Sequence, residues 1–286
     1  MIMKKLLVLI LSVLCVNASV AGGGWPQPKG KGYFKLSQMW IISNQHFTDV
    51  GEIDPNATRA SYFTNIYGEY GITDRFTGIV YWPFFVRSVA YEQVSGTTGN
   101  VIVPGDAING IGDMDLTIKY GLTPGKRIAT SASLLLGLPL GQSTGGYDGT
   151  LQTGDGEFNQ MIQLDAGTSF KVGNLYPYAN VLVAFNNRTG GFSDELRYGI
   201  EAGLEYKRFF GVIRLYGIHS FKNGEPNFNT VGTSLFANNV EYLGITPELS
   251  YRFSEKWGLT GNVGMAAWGK LILASPTFSV GVYFKP

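Results

Sequence analysis

The stretch Leu196–Tyr206 reads LRYGIEAGLEY, and every second residue in it is apolar. The charged residues and glycines all fall on the other parity. Such strict alternation predicts an extended strand with one apolar and one polar face. The run is about twice as long as the mode of roughly 5–6 residues for strands in globular proteins. A strand of this length is typical of one that crosses a lipid bilayer.

Segments with the same alternation, bounded by turn residues, recur along the whole chain and predict about twelve strands. They cover residues 32–43, 59–72, 75–90, 112–122, 127–140, 157–171, 175–186, 195–207, 209–222, 239–253, 257–269 and 275–284. Each segment is long enough to span a membrane once as a tilted strand.

The connections between these segments alternate between short and long, with the last one, near 270–274, as the exception. The short ones lie at 73–74, 123–126, 173–174, 208 and 254–256, and the long ones at 44–58, 91–111, 141–156, 187–194 and 223–238. Short turns on one side and long loops on the other are typical of outer-membrane barrels. The pattern therefore predicts an all-β fold, a transmembrane antiparallel β-barrel of about 12 strands with both termini periplasmic.

The first residues resemble an export signal. Lys4 and Lys5 form a basic region, an apolar stretch follows, and the small-residue pattern Ser19-Val20-Ala21 precedes Gly22. These features predict a signal peptide at 1–21, which is cleaved, and a barrel formed by residues 22–286. The single cysteine, Cys15, lies within the signal, so the mature chain would contain no disulfide, catalytic thiol or thiolate metal site.

Composition supports export to the outer membrane of a Gram-negative bacterium, with outer-membrane lipid as a partner. Without Lys4 and Lys5, 22 − 2 = 20 basic residues face 21 acidic ones, which gives no electrostatic reason to bind nucleic acid. No uninterrupted apolar run of about 18 residues follows the signal, which excludes helical spans. The aromatic content of 14% suits the aromatic girdles of a barrel. We expect no cofactor.

Alternation also assigns the two faces of each strand. Leu116 and Leu204, for example, fall on the lipid-facing parity. The charged residues of the opposite parity are candidates for lining the lumen: Asp113, Asp115, Lys119, Asp165, Glu195, Arg197, Glu201, Glu205, Glu248 and Arg252. Two arrangements are open for them, a narrow aqueous path or a cross-paired network that closes the barrel.

Three segments resemble a known family of outer-membrane β-barrels, the phenol meta-pathway degradation proteins, also described simply as transporters. The segment 109–122, NGIGDMDLTIKYGL, resembles the family signature G-[LI]-G-D-x-x-L-x-x-K-Y. The segments 24–33 and 136–141 are also similar to that family. The resemblance implies a barrel associated with the breakdown of aromatic compounds. It assigns no catalytic or binding residue.

Residues that could carry chemistry are few. His46 falls in the first predicted loop, where a solvated position is the simplest interpretation, and two histidines are too few for a dedicated metal site. His219 and Ser220 suggest a comparison with outer-membrane phospholipases. Adjacent strand residues point to opposite faces, however, so His219 cannot activate Ser220.

These features favour a non-enzymatic outer-membrane channel or transporter for small molecules, hydrophobic or aromatic ones among them. The small-molecule solute remains unknown. One alternative is a structural or surface-interaction barrel without transport. A less favoured one is an outer-membrane lipid-modifying enzyme, and a soluble all-β secreted domain is another.

Overall fold

The computed structural model describes residues 23–223, 225, 227, 229, 232 and 235–286. The predicted signal peptide lies outside the described residues and stays a prediction. Sixteen strands occur in the described part of the chain: β1 (Gly32–Phe47), β2 (Ile53–Gly71), β3 (Phe76–Ala90), β4 (Gln93–Val94), β5 (Val101–Val103), β6 (Asp106–Gly110), β7 (Met114–Gly121), β8 (Ile128–Leu138), β9 (Asn159–Ser169), β10 (Tyr178–Arg188), β11 (Glu195–Tyr206), β12 (Phe209–Ser220), β13 (Glu241–Arg252), β14 (Trp257–Lys270), β15 (Ile272–Leu273) and β16 (Thr277–Phe284).

Twelve of these strands form one closed antiparallel barrel, as the alternation predicts. The wall consists of β1 to β3, β7 to β14 and β16, and each strand pairs with its neighbours along the chain. The ring closes where β1 pairs with β16, with Phe34 opposite Phe284 and Trp40 opposite Phe278. A closed ladder leaves no strand edge with unpaired backbone groups, which is what a bilayer requires.

The short β6 and β15 extend this wall beyond the twelve-strand ring. β6 pairs with the last five residues of β3, and β15 pairs with the end of β1. β4 and β5 form a separate two-stranded sheet in the same part of the chain as β6. All of these additions lie at the end of the barrel that carries the longer connections.

The two ends of the barrel differ in their connections. One end has the turns 72–75, 122–127, 170–177, 207–208 and 253–256, together with Pro286. The other end has the connections 48–52, 91–113, 139–158, 189–194, 221–240 and 271–276, and the difference between the ends rests on 91–113, 139–158 and 221–240, which are far longer than any other connection. The end with the short turns is the periplasmic one in barrels of this type, and the longer loops are extracellular.

The predicted long loop at 44–58 is wrong. β1 continues to Phe47 and β2 begins at Ile53, so the connection is a turn in which Thr48 N donates to Glu52 O at 2.8 Å. A register shift between Ser43 and Gln45 interrupts the alternation while the strands stay paired. The sequence of this segment resembles that of a loop, because it is polar and its period-2 alternation ends at the bulge.

The outer face of the wall is apolar and the inner face is polar. Side chains such as Leu116, Ile200 and Val280 are exposed on the outside, whereas Lys119 and Ser131 on the intervening parity are buried inside. An apolar belt around a closed barrel is stable only against lipid. Among the described residues, no helix is long and apolar enough to cross a membrane.

Glycine and tyrosine face each other across three pairs of neighbouring strands. In each pair a Cβ on the glycine would come within 2.4 Å of the ring or closer: Gly203 with Tyr178, Gly217 with Tyr198 and Gly258 with Tyr283. The residues of each pair are direct partners in the ladder. A ring that covers the opposing glycine fills the space left by the missing side chain and fixes the strand register.

We predict that an arginine substituted at a lipid-facing position impairs insertion into the membrane, whereas an arginine at the adjacent position, which faces the lumen, is tolerated. Leu116→Arg should lower the folded yield in lipid vesicles because a cation at the midplane of the lipid face costs about 2–4 kcal/mol. Thr117→Arg is the control, because Thr117 lines the central cavity described below. Val183→Arg and Leu182→Arg provide a second pair in which both original residues are apolar. Equal yields within each pair would contradict the facing.

We also predict the topology of the barrel in the cell. A peptide tag inserted at Gly99 or Gly149 should react with antibody on intact cells, because both lie in the longer connections. A tag at Gly125 or Gly173 should react only after the outer membrane is opened. A Cβ atom added at any of these four glycines would meet no neighbouring atom within 4 Å, so the insertions should not disturb packing. The reverse labelling pattern would show the opposite orientation.

Candidate functional site in the barrel interior

Residues 23–31 lie at the end of the barrel with the short turns, with residues 23–27 inside the lumen and the exposed residues 28–31 at its rim. The carbonyl oxygen of Gly23 accepts hydrogen bonds from Lys119 Nζ at 3.0 Å and from Ser131 Oγ at 3.3 Å. The amide of Gly24 donates to Asn180 Oδ1 at 3.0 Å. Lys119, Ser131 and Asn180 belong to three different wall strands, so this segment reaches across the lumen.

The rest of the segment packs toward the periplasmic rim. Trp25 meets Tyr178 edge to face with ring centroids 6.0 Å apart. Gln27 is buried, and its amide donates to Thr77 Oγ1 at 2.8 Å while its side chain donates to Glu69 Oε2 at 3.0 Å. Most of these bonds run to side chains of the wall. At the rim, Gly30 N donates to Gly71 O at 2.8 Å and Gly71 N donates to Lys31 O at 2.9 Å, so the end of the segment pairs with the wall backbone. Residues 23–27 therefore narrow the lumen without belonging to the barrel ladder.

A cavity of about 440 Å³ lies above this segment, at the centre of the barrel. Its wall combines aromatic, aliphatic and charged side chains: Tyr67, Tyr216, Tyr242, Ile79, Leu135, Met161, Leu182, Lys119, Asp165, Glu201 and Arg214. Three of the lumen candidates from the sequence, Lys119, Asp165 and Glu201, thus meet around one space.

Arg214 organises the acidic residues on one side of this cavity. Its Nη1 donates to Glu248 at 3.1 Å, and its Nε donates to Glu201. Tyr178 OH donates to the other oxygen of Glu201 at 2.6 Å. Arg214 was not among the sequence candidates, although its parity on β12 places it inside. It supplies the partner that the acidic excess on β11 lacks in the sequence pattern.

Two further candidates are bound differently. Asp165 accepts hydrogen bonds from Gln163 Nε2 at 2.9 Å and from Asn180 Nδ2 at 3.4 Å. Arg252 pairs with Glu205 at 3.1 Å near the short turns, and the two side chains are 45% and 47% exposed. A half-exposed pair of this kind adds about 0–1 kcal/mol to stability.

On the extracellular side, Arg188 is surrounded by three carboxylates. Its nitrogens lie 2.8 Å from Asp155, 2.9 Å from Glu157 and 2.9 Å from Glu195, and its side chain is only 6% exposed. Glu195 also pairs with Arg197 at 2.7 Å. Because Asp155 and Glu157 belong to the connection 139–158, this network fastens that loop to β10 and β11.

Asp113 fastens the same loop from the opposite side. Its carboxylate accepts the backbone amides of Gly141 and Asp155, each at 2.8 Å. Burial, together with the nearby Asp113, raises the pKa of Asp155 to about 6, although Arg188 opposes the shift. Asp115, the remaining candidate, is half-buried and lies opposite Tyr81 on β3. The extracellular charges therefore hold a loop, whereas the central ones border a cavity.

The two histidines lie on strands. His46 is on β1 rather than in the predicted loop, and its Nδ1 lies 3.3 Å from Asn56 Nδ2. His219 is exposed on the outside beside Glu241 at 3.3 Å, whereas Ser220 is buried inside and donates to Ser193 Oγ at 2.7 Å. His219 and Ser220 thus occupy opposite faces. No group of three or more potential ligands among His, Cys, Asp and Glu in the described residues is placed to hold a metal ion.

Solved structures resemble this architecture over nearly the whole chain. The COG4313 outer membrane channel from Pseudomonas putida F1 shares 14% identity with it, at a TM-score of 0.61, over 94% of this chain and 98% of that one. The chain has the fold of an outer-membrane β-barrel. The beta domain of the Bordetella autotransporter BrkA (11% identity, 90% and 100% coverage, TM-score 0.47) and the KdgM porin (8%, 88% and 98%, 0.45) are looser likenesses.

No protein-family model and no curated protein sequence matches this chain. The similarity to outer-membrane barrels agrees with the fold class that the sequence resemblance implies. The link to the phenol meta-pathway stays a prediction.

The Arg188 network yields a prediction for stability. Arg188→Met should lower the free energy of unfolding by roughly 3–5 kcal/mol, because it leaves buried carboxylates without a cation. Arg252→Met removes a cation from a half-exposed pair and should cost about 0–1 kcal/mol. Urea unfolding of the refolded barrel in detergent micelles, followed by tryptophan fluorescence, measures both. Similar losses for the two variants would show that Arg188 is not a buried anchor.

Proposed function

We propose that the protein is a non-enzymatic outer-membrane channel for small molecules, hydrophobic or aromatic ones among them. The observation that carries this proposal is the cavity of about 440 Å³ at the centre of the barrel. A purely structural role does not require such a space. Here the interior glycines, serines and threonines leave it open.

The lining of the cavity supports the solute class. Sites for small organic molecules are mostly apolar or aromatic, with a few polar groups that fix orientation. Tyr67, Tyr216 and Tyr242 offer rings and hydroxyl groups, and Leu135 and Leu182 offer aliphatic surface. Arg214 is paired with carboxylates, so a weakly polar solute would not meet an uncompensated charge there.

The route toward the periplasm depends on residues 23–31. Residues 23–27 are held by bonds to wall side chains, so this part of the segment can move without breaking the barrel ladder, while Gly30 and Lys31 stay bonded to the backbone of Gly71. We propose that Lys119, Asp165 and Glu201 border the path that its movement opens. Asp113, Glu195 and Arg197 belong instead to the network that positions the extracellular loop.

The alternatives receive less support. A lipid-modifying enzyme needs a nucleophile within reach of a base on the lipid-facing surface. His219 is on that surface, but its neighbour Ser220 faces the interior and binds Ser193. A barrel that only presents its loops for surface interactions would not require the central cavity.

We predict that weakening the hold on residues 23–31 opens the channel. Lys119→Met removes the donor to Gly23 O, and a hydrogen bond from a charged group contributes about 1.5–3 kcal/mol. The ratio of open to closed channels should therefore rise roughly tenfold or more. Single-channel recording in planar bilayers and solute-driven swelling of proteoliposomes measure the change.

Thr117→Ala is the matched control, because Thr117 lines the same cavity and is not one of the hydrogen-bond partners of the segment described above. Its conductance should stay close to that of the unmodified protein. The folding of both variants is checked by heat-modifiable migration in gels. The channel proposal fails if both folded variants carry no current and admit no small solute.

A further inference from the structure

A second cavity, of about 320 Å³, lies at the extracellular mouth and shares no lining residue with the central one. Its walls come from β1, β2, β15 and the connections that cover them. The lining includes Ser43, His46, Asn56, Arg59, Thr150, Ala237, Leu271 and Leu273. The lining thus combines polar and basic side chains with aliphatic ones, and Leu273 lies directly beside His46 in the ladder.

We propose that this cavity binds the carboxylate of a small organic acid, with Arg59 as its anchor. The inference deepens the proposed channel function by naming a class of solute that first binds at the mouth. Its physical basis is the state of the Arg59 guanidinium, the polar groups beside it and the aliphatic side chains that line the same space.

Among the described residues, the guanidinium of Arg59 has N–H donors that remain available to a ligand. Its Nη2 donates to Thr150 Oγ1 at 3.0 Å. A guanidinium carries five N–H groups in a fixed fork. No carboxylate among the described residues lies within ion-pair distance of it, in contrast to Arg188 and Arg214. A carboxylate ligand fits such a fork in a bidentate manner.

The nearest acidic side chains do not fill this role. Asp148 accepts the backbone amide of Thr150 at 2.9 Å and its hydroxyl at 2.8 Å. These two bonds, with a smaller contribution from the positive charge of Arg59, hold the pKa of Asp148 below its usual value. Its carboxylate is therefore turned to Thr150, which stands between it and Arg59. Asp54 is the ladder partner of His46 and is not one of the lining residues of the cavity.

His46 provides a second donor. Asn56 Oδ1 accepts the amide of Ala57 at 2.7 Å, which assigns the NH₂ group to the atom facing His46. Because Asn56 Nδ2 donates to His46 Nδ1, the neutral imidazole carries its proton on Nε2. His46 thus keeps an N–H group for another acceptor.

The apolar side of the cavity includes a residue in an unusual conformation. Leu271 has a φ of 56°, in the left-handed region that residues other than glycine rarely adopt. Its amide donates to Phe47 O at 2.9 Å, which holds the backbone in this position. Strain retained beside a cavity is typical of a functional site. Leu271 and Leu273 supply the surface for a hydrocarbon or ring.

These features define the ligand as a small monocarboxylate with an apolar body. A neutral molecule would leave the Arg59 fork unused, and a dicarboxylate would bring a second anion against Leu271 and Leu273, which offer it no partner. The volume lies in the lower part of the range for small-molecule sites, about 300–1,000 Å³. An aromatic or short branched acid therefore fits the cavity better than an extended chain.

Benzoate is a suitable probe, and benzyl alcohol is its uncharged counterpart. Isothermal titration of the refolded, full-length barrel in detergent should show benzoate binding that weakens about tenfold or more in Arg59→Gln. Arg59→Lys should retain part of the affinity, because a lysine keeps the charge without the fork. Benzyl alcohol should bind weakly, and equally to the unmodified protein and to Arg59→Gln.

Arg87→Gln is the matched control. Arg87 is also an extracellular-side arginine of the wall, but it is exposed and donates to Asn109 at 3.0 Å. Its substitution should leave benzoate binding unchanged. Heat-modifiable migration in gels shows whether each variant is folded. If Arg59→Gln does not fold, the comparison of benzoate with benzyl alcohol on the unmodified protein decides.

Equal affinity for the two probes, or benzoate binding that does not depend on Arg59, would overturn the site. Conductance measured in parallel separates this inference from the channel proposal. Arg59-dependent binding in a barrel that never conducts would support the site and refute the channel. Conduction without Arg59-dependent binding would do the reverse.

Discussion

The pairing of β1 with β16 is the contact on which the rest of the structure depends. A sheet with an apolar face toward lipid cannot leave the backbone groups of an edge strand unpaired, because hydrocarbon offers them no partner. Closure removes both edges at once. With antiparallel neighbours and an even number of strands, it also brings both ends of the wall to the rim with the short turns. The segment 23–31 joins β1 at that rim, and its first residues lie in the lumen.

Closure also decides how the interior charges are stabilised. Buried charges need partners, and here they are paired at two levels along the barrel axis, one near the extracellular end and one at the centre. Arg188 gathers three carboxylates at the extracellular side, and Arg214 binds two beside the central cavity. The aqueous path and the paired network are thus not exclusive alternatives. Pairing at the mouth positions a loop, and pairing at the centre leaves space next to it.

The sequence alone predicts the strands and the two faces of the wall, because each strand meets lipid on one side and the lumen on the other. Alternation is a local signal of that difference. It does not predict that Arg188 binds Asp155, or that Lys119 holds Gly23, since these contacts join distant segments and have no period. The same holds for Gly203, whose place is explained only by the ring of Tyr178 on the next strand.

The misassigned first loop shows where alternation loses its meaning. Period-2 patterning reflects two different surroundings, so it ends where the wall rises above the bilayer and both faces meet water or loops. Strand pairing needs no such contrast, and β1 and β2 stay paired beyond the bulge at Ser43. A segment whose strands are paired but whose sequence does not alternate therefore indicates a part of the wall that lies outside the bilayer. In this chain that wall carries His46, and Arg59 lies on β2 beside it, where a solute from outside would first meet the barrel.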